Sequence, residues 1–168
     1  RRILIISTML LFPLLSWAGI YSKLEAQCGE AFGGLVKKLV IKDLPQFDMV
    51  VVSDFESDNA ALNPNVSYNK VDLSESRRTA YVQAPDGSWG LKLVFKDGGF
   101  NRLKLYDRVR LDLNGCRVAK VAGTDAMYVT DLTPLNVVDC ERGTAEGVAV
   151  KEKSIAELTA KDLFTRVT

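Results

Sequence analysis

Arg108-Val109-Arg110-Leu111-Asp112-Leu113-Asn114-Gly115-Cys116-Arg117-Val118-Ala119-Lys120-Val121 is where the chain declares its architecture. Successive side chains of an extended strand point to opposite faces. Val109, Leu111 and Leu113 therefore share one face, and Arg108, Arg110 and Asp112 share the other. Asn114-Gly115 follows as a tight turn, since both residues accept positive φ, and Cys116 to Val121 runs on as a further strand.

The same pattern spreads in both directions. Downstream, Ala122-Gly123-Thr124-Asp125 turns, Ala126 to Leu132 returns as a strand, and Leu135 to Cys140 ends the β region. Upstream, Arg78 to Ala84 alternates into Pro85-Asp86-Gly87, where Pro presets φ and Gly permits positive φ. Trp89 to Lys96 is the partner strand of that hairpin. Phe47 to Phe55 is β-rich and almost continuously apolar, as expected of a strand buried on both faces. Leu35 to Ile41 forms a short element that Asp43-Leu44-Pro45 ends, and Ser57 to Ser76 reads as a long polar excursion. Strands with Gly-rich turns and no alternating helices predict an antiparallel all-β domain. Five or six strong strands fit a small barrel better than a seven-strand sandwich.

The ends read differently. Arg1-Arg2, the apolar run from Ile3, and the polar Lys23-Leu24-Glu25 have the three regions of a secretory signal peptide, with cleavage expected after Ala26. A retained anchor over Ile3–Ile20 is the rival reading. Cys28 lies where a lipoprotein cysteine would, although Gln27 and Glu25 depart from a small-residue box. Export permits disulfides, and Cys116 with Cys140 is the natural pair, against the alternative of three reduced thiols. At the other end, Ser154-Ile155-Ala156-Glu157 and Thr159-Ala160-Lys161-Asp162 have capping-box spacing and predict a short helix or two. The organisation expected is a signal peptide over 1–26, an approach segment over 27–46, a β-domain over 47–140, a linker over 141–153, and the start of a second domain over 154–168.

Val51-Val52-Ser53-Asp54, Gln83-Ala84-Pro85-Asp86-Gly87-Ser88-Trp89-Gly90-Leu91 and Leu105-Tyr106-Asp107-Arg108-Val109-Arg110-Leu111-Asp112-Leu113-Asn114-Gly115 occur in an order that resembles a family. It is an uncharacterised OB-like domain of unknown function, found in exported proteins and lipoproteins of Bacteroidetes. Trp89 and Tyr106 depart from its pattern, standing where the family has a small residue and a Gly. The resemblance implies an OB-like barrel over 47–140. It implies no catalytic residues, and companionship of some members with nuclease domains implies a nucleic-acid ligand by analogy only.

Composition excludes more than it assigns. The 168 residues carry 22 Lys+Arg against 21 Asp+Glu and no His. A net charge of +1 gives no global steering toward polyanions, and the absent His removes Ser-His and Cys-His nucleophile pairs and imidazole ligands. No Gly-x-Ser-x-Gly, Walker or Rossmann pattern is present. No cofactor and no metal site is expected. An acidic loop (Asp54, Glu56, Asp58, Asp72, Glu75) lacks the register of a dedicated calcium loop. Between Arg77 and Lys120, however, ten bases face four acids. Tyr81, Trp89, Lys92, Lys96, Arg108 and Arg110 are the candidate ligand-binding residues, aromatics for stacking and cations for phosphate. A solvated basic face that keeps strand edges soluble is the plainer reading. The function expected is a non-catalytic module of an exported or cell-surface protein, binding a ligand or acting as a spacer. The alternative is a domain for single-stranded nucleic acid or polysaccharide that assists a separate enzyme.

Overall fold

The alternating stretch folds as read, but its two halves part company. In a computed structural model, which describes residues 16–53, 79–96 and 103–168, ten strands form: β1 (Ala31–Phe32), β2 (Leu35–Val36), β3 (Leu39–Val40), β4 (Phe47–Val51), β5 (Thr79–Gln83), β6 (Gly90–Phe95), β7 (Arg108–Leu111), β8 (Arg117–Lys120), β9 (Met127–Leu132) and β10 (Val137–Glu141). Val109 and Leu111 are buried, whereas Arg108 and Arg110 are exposed, as the alternation requires. Yet β7 does not pair with β8. It lies between β4 and β10, while β8 lies between β9 and β3. The reason is Asn114. Its side chain accepts from the Leu44 amide at 2.9 Å and donates to the Leu44 carbonyl at 2.7 Å, and Gly115 N–H donates to the Ile41 carbonyl at 2.9 Å. The Ile41–Leu44 segment thus occupies the place a hairpin partner would take.

Eight strands form one mixed sheet in the order β10-β7-β4-β5-β6-β9-β8-β3, and β1–β2 is a separate pair. The fold is therefore mainly β. The expectation of an all-antiparallel sheet needs correction, because β6 and β9 run parallel, with Lys92 opposite Tyr128 and Leu93 opposite Val129. Parallel strands need a crossover, and Arg108–Lys120 supplies it, touching β4 at one end and β9 at the other. The predicted hairpin at Pro85-Asp86-Gly87 is present. Ala84 N–H donates to the Trp89 carbonyl at 2.9 Å, and Gly87 turns at φ 74°.

The described N-terminal residues take part in the core. Residues 17–27 form α1 (Trp17–Gln27), started by Ser16, whose hydroxyl accepts from Gly19 N–H at 3.1 Å. Ile20, Tyr21 and Leu24 lie on one side of this helix and enter the core beside Phe47, Met49 and Trp89. Burying each contributes about 1.5–3 kcal/mol. Gln27 then pairs with both backbone groups of Lys42, at 2.8 and 2.7 Å. Cleavage after Ala26 would remove this helix from the core. Residues 1–15, which hold most of the apolar run, lie outside the described residues. No described helix is long and apolar enough to cross a membrane.

The C-terminal segment packs against the sheet. Both capping boxes exist: Ser154 N–H donates to Glu157 at 3.0 Å, and Thr159 N–H to Asp162 at 2.8 Å. Each caps only a single 3-10 turn (Ile155–Glu157 and Ala160–Asp162), so the expected helix does not form. The tail folds back on the sheet through Gln83, which is fully buried. Its amide donates to the Ala149 carbonyl at 2.8 Å and its carbonyl accepts from Arg166 N–H at 2.9 Å. Phe164 stacks on Tyr81 with centroids 5.2 Å apart and planes within 12°. Gly90 makes the approach possible, since a Cβ there would lie 2.4 Å from the Phe164 carbonyl oxygen. Asp162 fastens the tail internally, accepting from Lys151 and, at 3.0 Å, from Lys153. Burial pushes the Asp162 carboxyl up, but those two ammoniums with the Thr159 amide and hydroxyl outweigh it and hold the group well below the carboxylate range.

Candidate functional site

Alternation along β6 sends Lys92, Val94 and Lys96 to the face opposite Leu91, Leu93 and Phe95. Register then builds a row across three strands. Tyr81 on β5 is opposite Lys92 on β6, and Lys92 is opposite Tyr128 on β9. The tail covers one end of this face, at Tyr81, Gln83 and Gly90. The other end is a cleft of about 470 Å³, floored by β6 and β9. Ala31 and Val36 of the β1–β2 pair and Val121 and Ala122 after β8 also line it.

Among the described residues, Lys38, Lys92 and Lys96 line this cleft together with Asp131. Asp131 itself is drawn toward Arg117 at 3.6 Å. Lys38 stands 5.9 Å above the centroid of the Tyr128 ring. Thr130 also lines the cleft. It is only 6% exposed, and its hydroxyl has no hydrogen-bond partner among the described residues. A buried polar group left unpaired costs about 1–3 kcal/mol.

The six residues picked out in the sequence scatter. Lys92 and Lys96 meet in the cleft, and Tyr81 stands in the same row under Phe164. Trp89 is a correction: it is 1% exposed, so its ring cannot stack on a ligand. Its indole N–H donates to the Trp17 carbonyl at 2.9 Å, and Tyr21 and Phe47 pack on it at 5.5 and 6.2 Å. Arg108 and Arg110 sit on β7, which pairs with neither β6 nor β9. Arg110 is engaged by Asp48 at 3.0 Å, and Arg108 lines a smaller hollow with Tyr106 and Glu141. Lys38, Tyr128 and Thr130 were missed. Period-two spacing on Tyr128 and Thr130 was a usable signal, whereas nothing local marks Lys38, which reaches the cleft only through the folding of 31–40.

The cysteines do not pair. All three are free thiols. Cys140 lies opposite Val109 at one end of β7, while Cys116 bonds to the Leu113 carbonyl beyond the other end. Four residues of extended chain put these positions roughly 13 Å apart, beyond the reach of a disulfide. Burial first, then the Asp107 carboxylate that accepts from its Sγ at 3.4 Å, push the Cys140 thiol up to about 11. Burial pushes the Cys28 and Cys116 thiols up to about 11 as well. Cys28 is followed by Gly29, whose backbone is bonded to Val118 and Lys120 of β8. A lipid on Cys28 as a new N-terminus would again require loss of α1. Among the described residues no group of three or more His, Cys, Asp or Glu side chains is placed to hold a metal ion. The acidic loop weighed for calcium lies outside the described residues. Comparison with protein-family models, with curated proteins and with solved structures finds no match to this chain.

Proposed function

We propose that the chain is a non-catalytic ligand-binding module of an exported protein, built on an OB-like barrel, with its ligand on the outward face of β6 and β9. The observation that carries this reading is the convergence of Lys38, Lys92 and Lys96 with Tyr128 in one cleft. The barrel is supported by strand succession. An OB barrel runs first to second to third strand, sets the third parallel to the fifth, and returns from the fifth through the fourth to the first. Here β4, β5 and β6 follow in order, β9 lies parallel to β6, and the bent segment holding β7 and β8 returns to β4. Such barrels take ligands on the second and third strands and on the loop between the fourth and fifth, and Lys92, Lys96, Val121 and Ala122 occupy those places. Export rests on Arg1-Arg2 and the apolar residues after them.

The alternative ligand, a single strand or a polysaccharide serving a separate enzyme, is favoured by the Tyr81-Lys92-Tyr128 row, which alternates ring and cation. Fluorescence anisotropy with labelled oligothymidylate and with a uronate polysaccharide, from low to physiological salt, tests the reading. Binding that weakens with salt and with Lys92→Gln supports it. Absence of binding to any anionic probe at low salt leaves only the spacer role.

A further inference from the structure

Every residue from Gly33 to Val40 is exposed, and Leu35, Val36, Leu39 and Val40 among them are large and apolar. Leu35 is 81% exposed, and the other three lie between 38% and 47%. Single apolar residues scattered on a surface are ordinary, but a cluster this dense marks an interaction site. The arm that carries it is held at its base. Gly33 and Gly34 take φ 55° and 83° in a two-residue turn, which sets Ala31 opposite Val36 and Phe32 opposite Leu35. Lys37 N–H extends that ladder to the Glu30 carbonyl at 3.0 Å. Gly29 then ties the arm to β8, donating to the Val118 carbonyl at 3.3 Å and accepting from Lys120 N–H at 2.8 Å. A Cβ on Gly29 would run into the Lys37 carbonyl, so the two legs meet there backbone to backbone.

Charge along the arm has one sign. Lys37, Lys38 and Lys42 fall in a stretch from Ala31 to Lys42 that holds no Asp or Glu, with Glu30 and Asp43 outside its two ends. Lys38 lies over the Tyr128 ring, whereas the Lys37 and Lys42 ammoniums form no ion pair among the described residues. This combination selects among occupants. A second copy docked here would bring two sets of lysines together with no carboxylate between them. A partner strand would find only the two residues of β3 to pair with, although β3 ends the sheet. An anionic bilayer suits both parts: its headgroups attract the ammoniums, and the acyl boundary takes Leu35 while the lysine stems lie along it. Entry stops at that boundary, since the outer backbone groups of the arm need water or headgroups as partners. We infer that the Gly33–Val40 arm docks the protein on an anionic lipid surface, with Leu35 entering first and Lys37 and Lys42 against the headgroups.

Co-sedimentation of the full chain with vesicles of equal parts phosphatidylglycerol and phosphatidylcholine, against phosphatidylcholine alone, tests the inference. The anionic vesicles bind the chain, and added salt weakens the binding. Leu35→Asp lowers the partition about tenfold or more, and Lys37→Gln and Lys42→Gln lower it about fivefold each. All three positions are exposed, so melting temperatures stay unchanged. Leu135→Asp is the control, because Leu135 is 88% exposed but lies beside β10, at the other end of the sheet order. It leaves the partition as it was. Should Leu35→Asp disturb the melt, the two lysine variants decide alone. Absence of binding to the anionic vesicles overturns the inference, and so does equal binding by the parent and all three arm variants, which assigns the affinity to another part of the chain. A lipid-free dimer that Leu35→Asp dissociates makes the arm a contact between copies and overturns it too. None of these results touches the β6–β9 reading, which is tested through Lys92 and without lipid.

Discussion

Truncating Leu24 to Ala should cost about 3 kcal/mol of folding stability, although the residue lies in a stretch whose composition resembles a leader. Leu24 is wholly buried, and its neighbours on α1, Ile20 and Tyr21, are 1% and 7% exposed. A buried Leu→Ala change loses the transfer energy of the removed carbons and leaves a cavity, for about 2–5 kcal/mol in total. Leu24 belongs to the same buried cluster as Trp89, Phe47 and Tyr21, which argues for the middle of that range. For a chain of this size each kcal/mol moves Tm by roughly 2–4 °C, so a fall of about 6–12 °C is expected. Urea unfolding followed by tryptophan fluorescence should show a lower midpoint at unchanged slope, since the surface exposed on unfolding is nearly the same. Starting the chain at Gln27 is the harsher test. It removes Ile20, Tyr21 and Leu24 together and deprives the Trp89 indole of the Trp17 carbonyl. The loss is on the order of 8 kcal/mol, comparable to the whole stability of an ordinary domain. Such a chain should not fold. A Leu24→Ala shift below 1 kcal/mol, or a cooperative melt from the shortened chain, would show that α1 is dispensable to the fold.

Three further outcomes are expected. With its thiol raised to about 11 from an ordinary 9.0, Cys140 should alkylate with iodoacetamide on the order of a hundredfold more slowly at pH 8 when folded than in urea, and Asp107→Asn should speed the folded reaction; equal rates in both states would refute the Asp107 contact. Because the Asp162 carboxyl is depressed in the fold, its contribution is complete above the unfolded value near 3.9 and is lost as pH falls through the lower folded value. Urea midpoints measured from pH 5 to pH 2 should therefore decline more steeply in the parent than in Asp162→Asn, and parallel declines would count against the two lysine contacts. Gly90→Ala should displace the tail at a cost of about 1–3 kcal/mol, exposing Lys161 and Arg166 to trypsin; unchanged resistance would mean that Phe164 does not press on β6.

Local rules were enough for the strands and turns. Period-two burial at Val109 and Leu111 and the Pro85-Asp86-Gly87 turn are decided within a few residues, so the sequence shows them directly. The β6–β9 pairing is different, because the register of parallel strands distant in the chain leaves no local trace. Two features carried a readable signal. Trp89 shares parity with Leu91, Leu93 and Phe95, which places it in the core, but proximity to a turn suggested exposure. Trp17, Ile20, Tyr21 and Leu24 follow helical spacing, with Lys23 and Glu25 on the other side and Ser16 as a cap, yet the apolar run ahead of them masked the period. The cleft was half legible. Lys92 and Lys96 came from strand parity, whereas Lys38 belongs to a segment whose position only the assembled sheet sets.

Trp89 and Gly90 hold neighbouring places at the start of β6, one facing Trp17 and the other Phe164. The indole bond spans 72 residues of sequence, and the contact at Gly90 spans a comparable length in the other direction. Closing such long loops is slow, since the entropy of joining distant segments is lost before any contact repays it. This dipeptide is therefore a late meeting point in folding, where the beginning and the end of the described chain arrive on opposite sides of one strand. A nascent chain from which Phe164 had not yet emerged would keep Tyr81 and the backbone at Gly90 uncovered, and its maturation would wait for that segment.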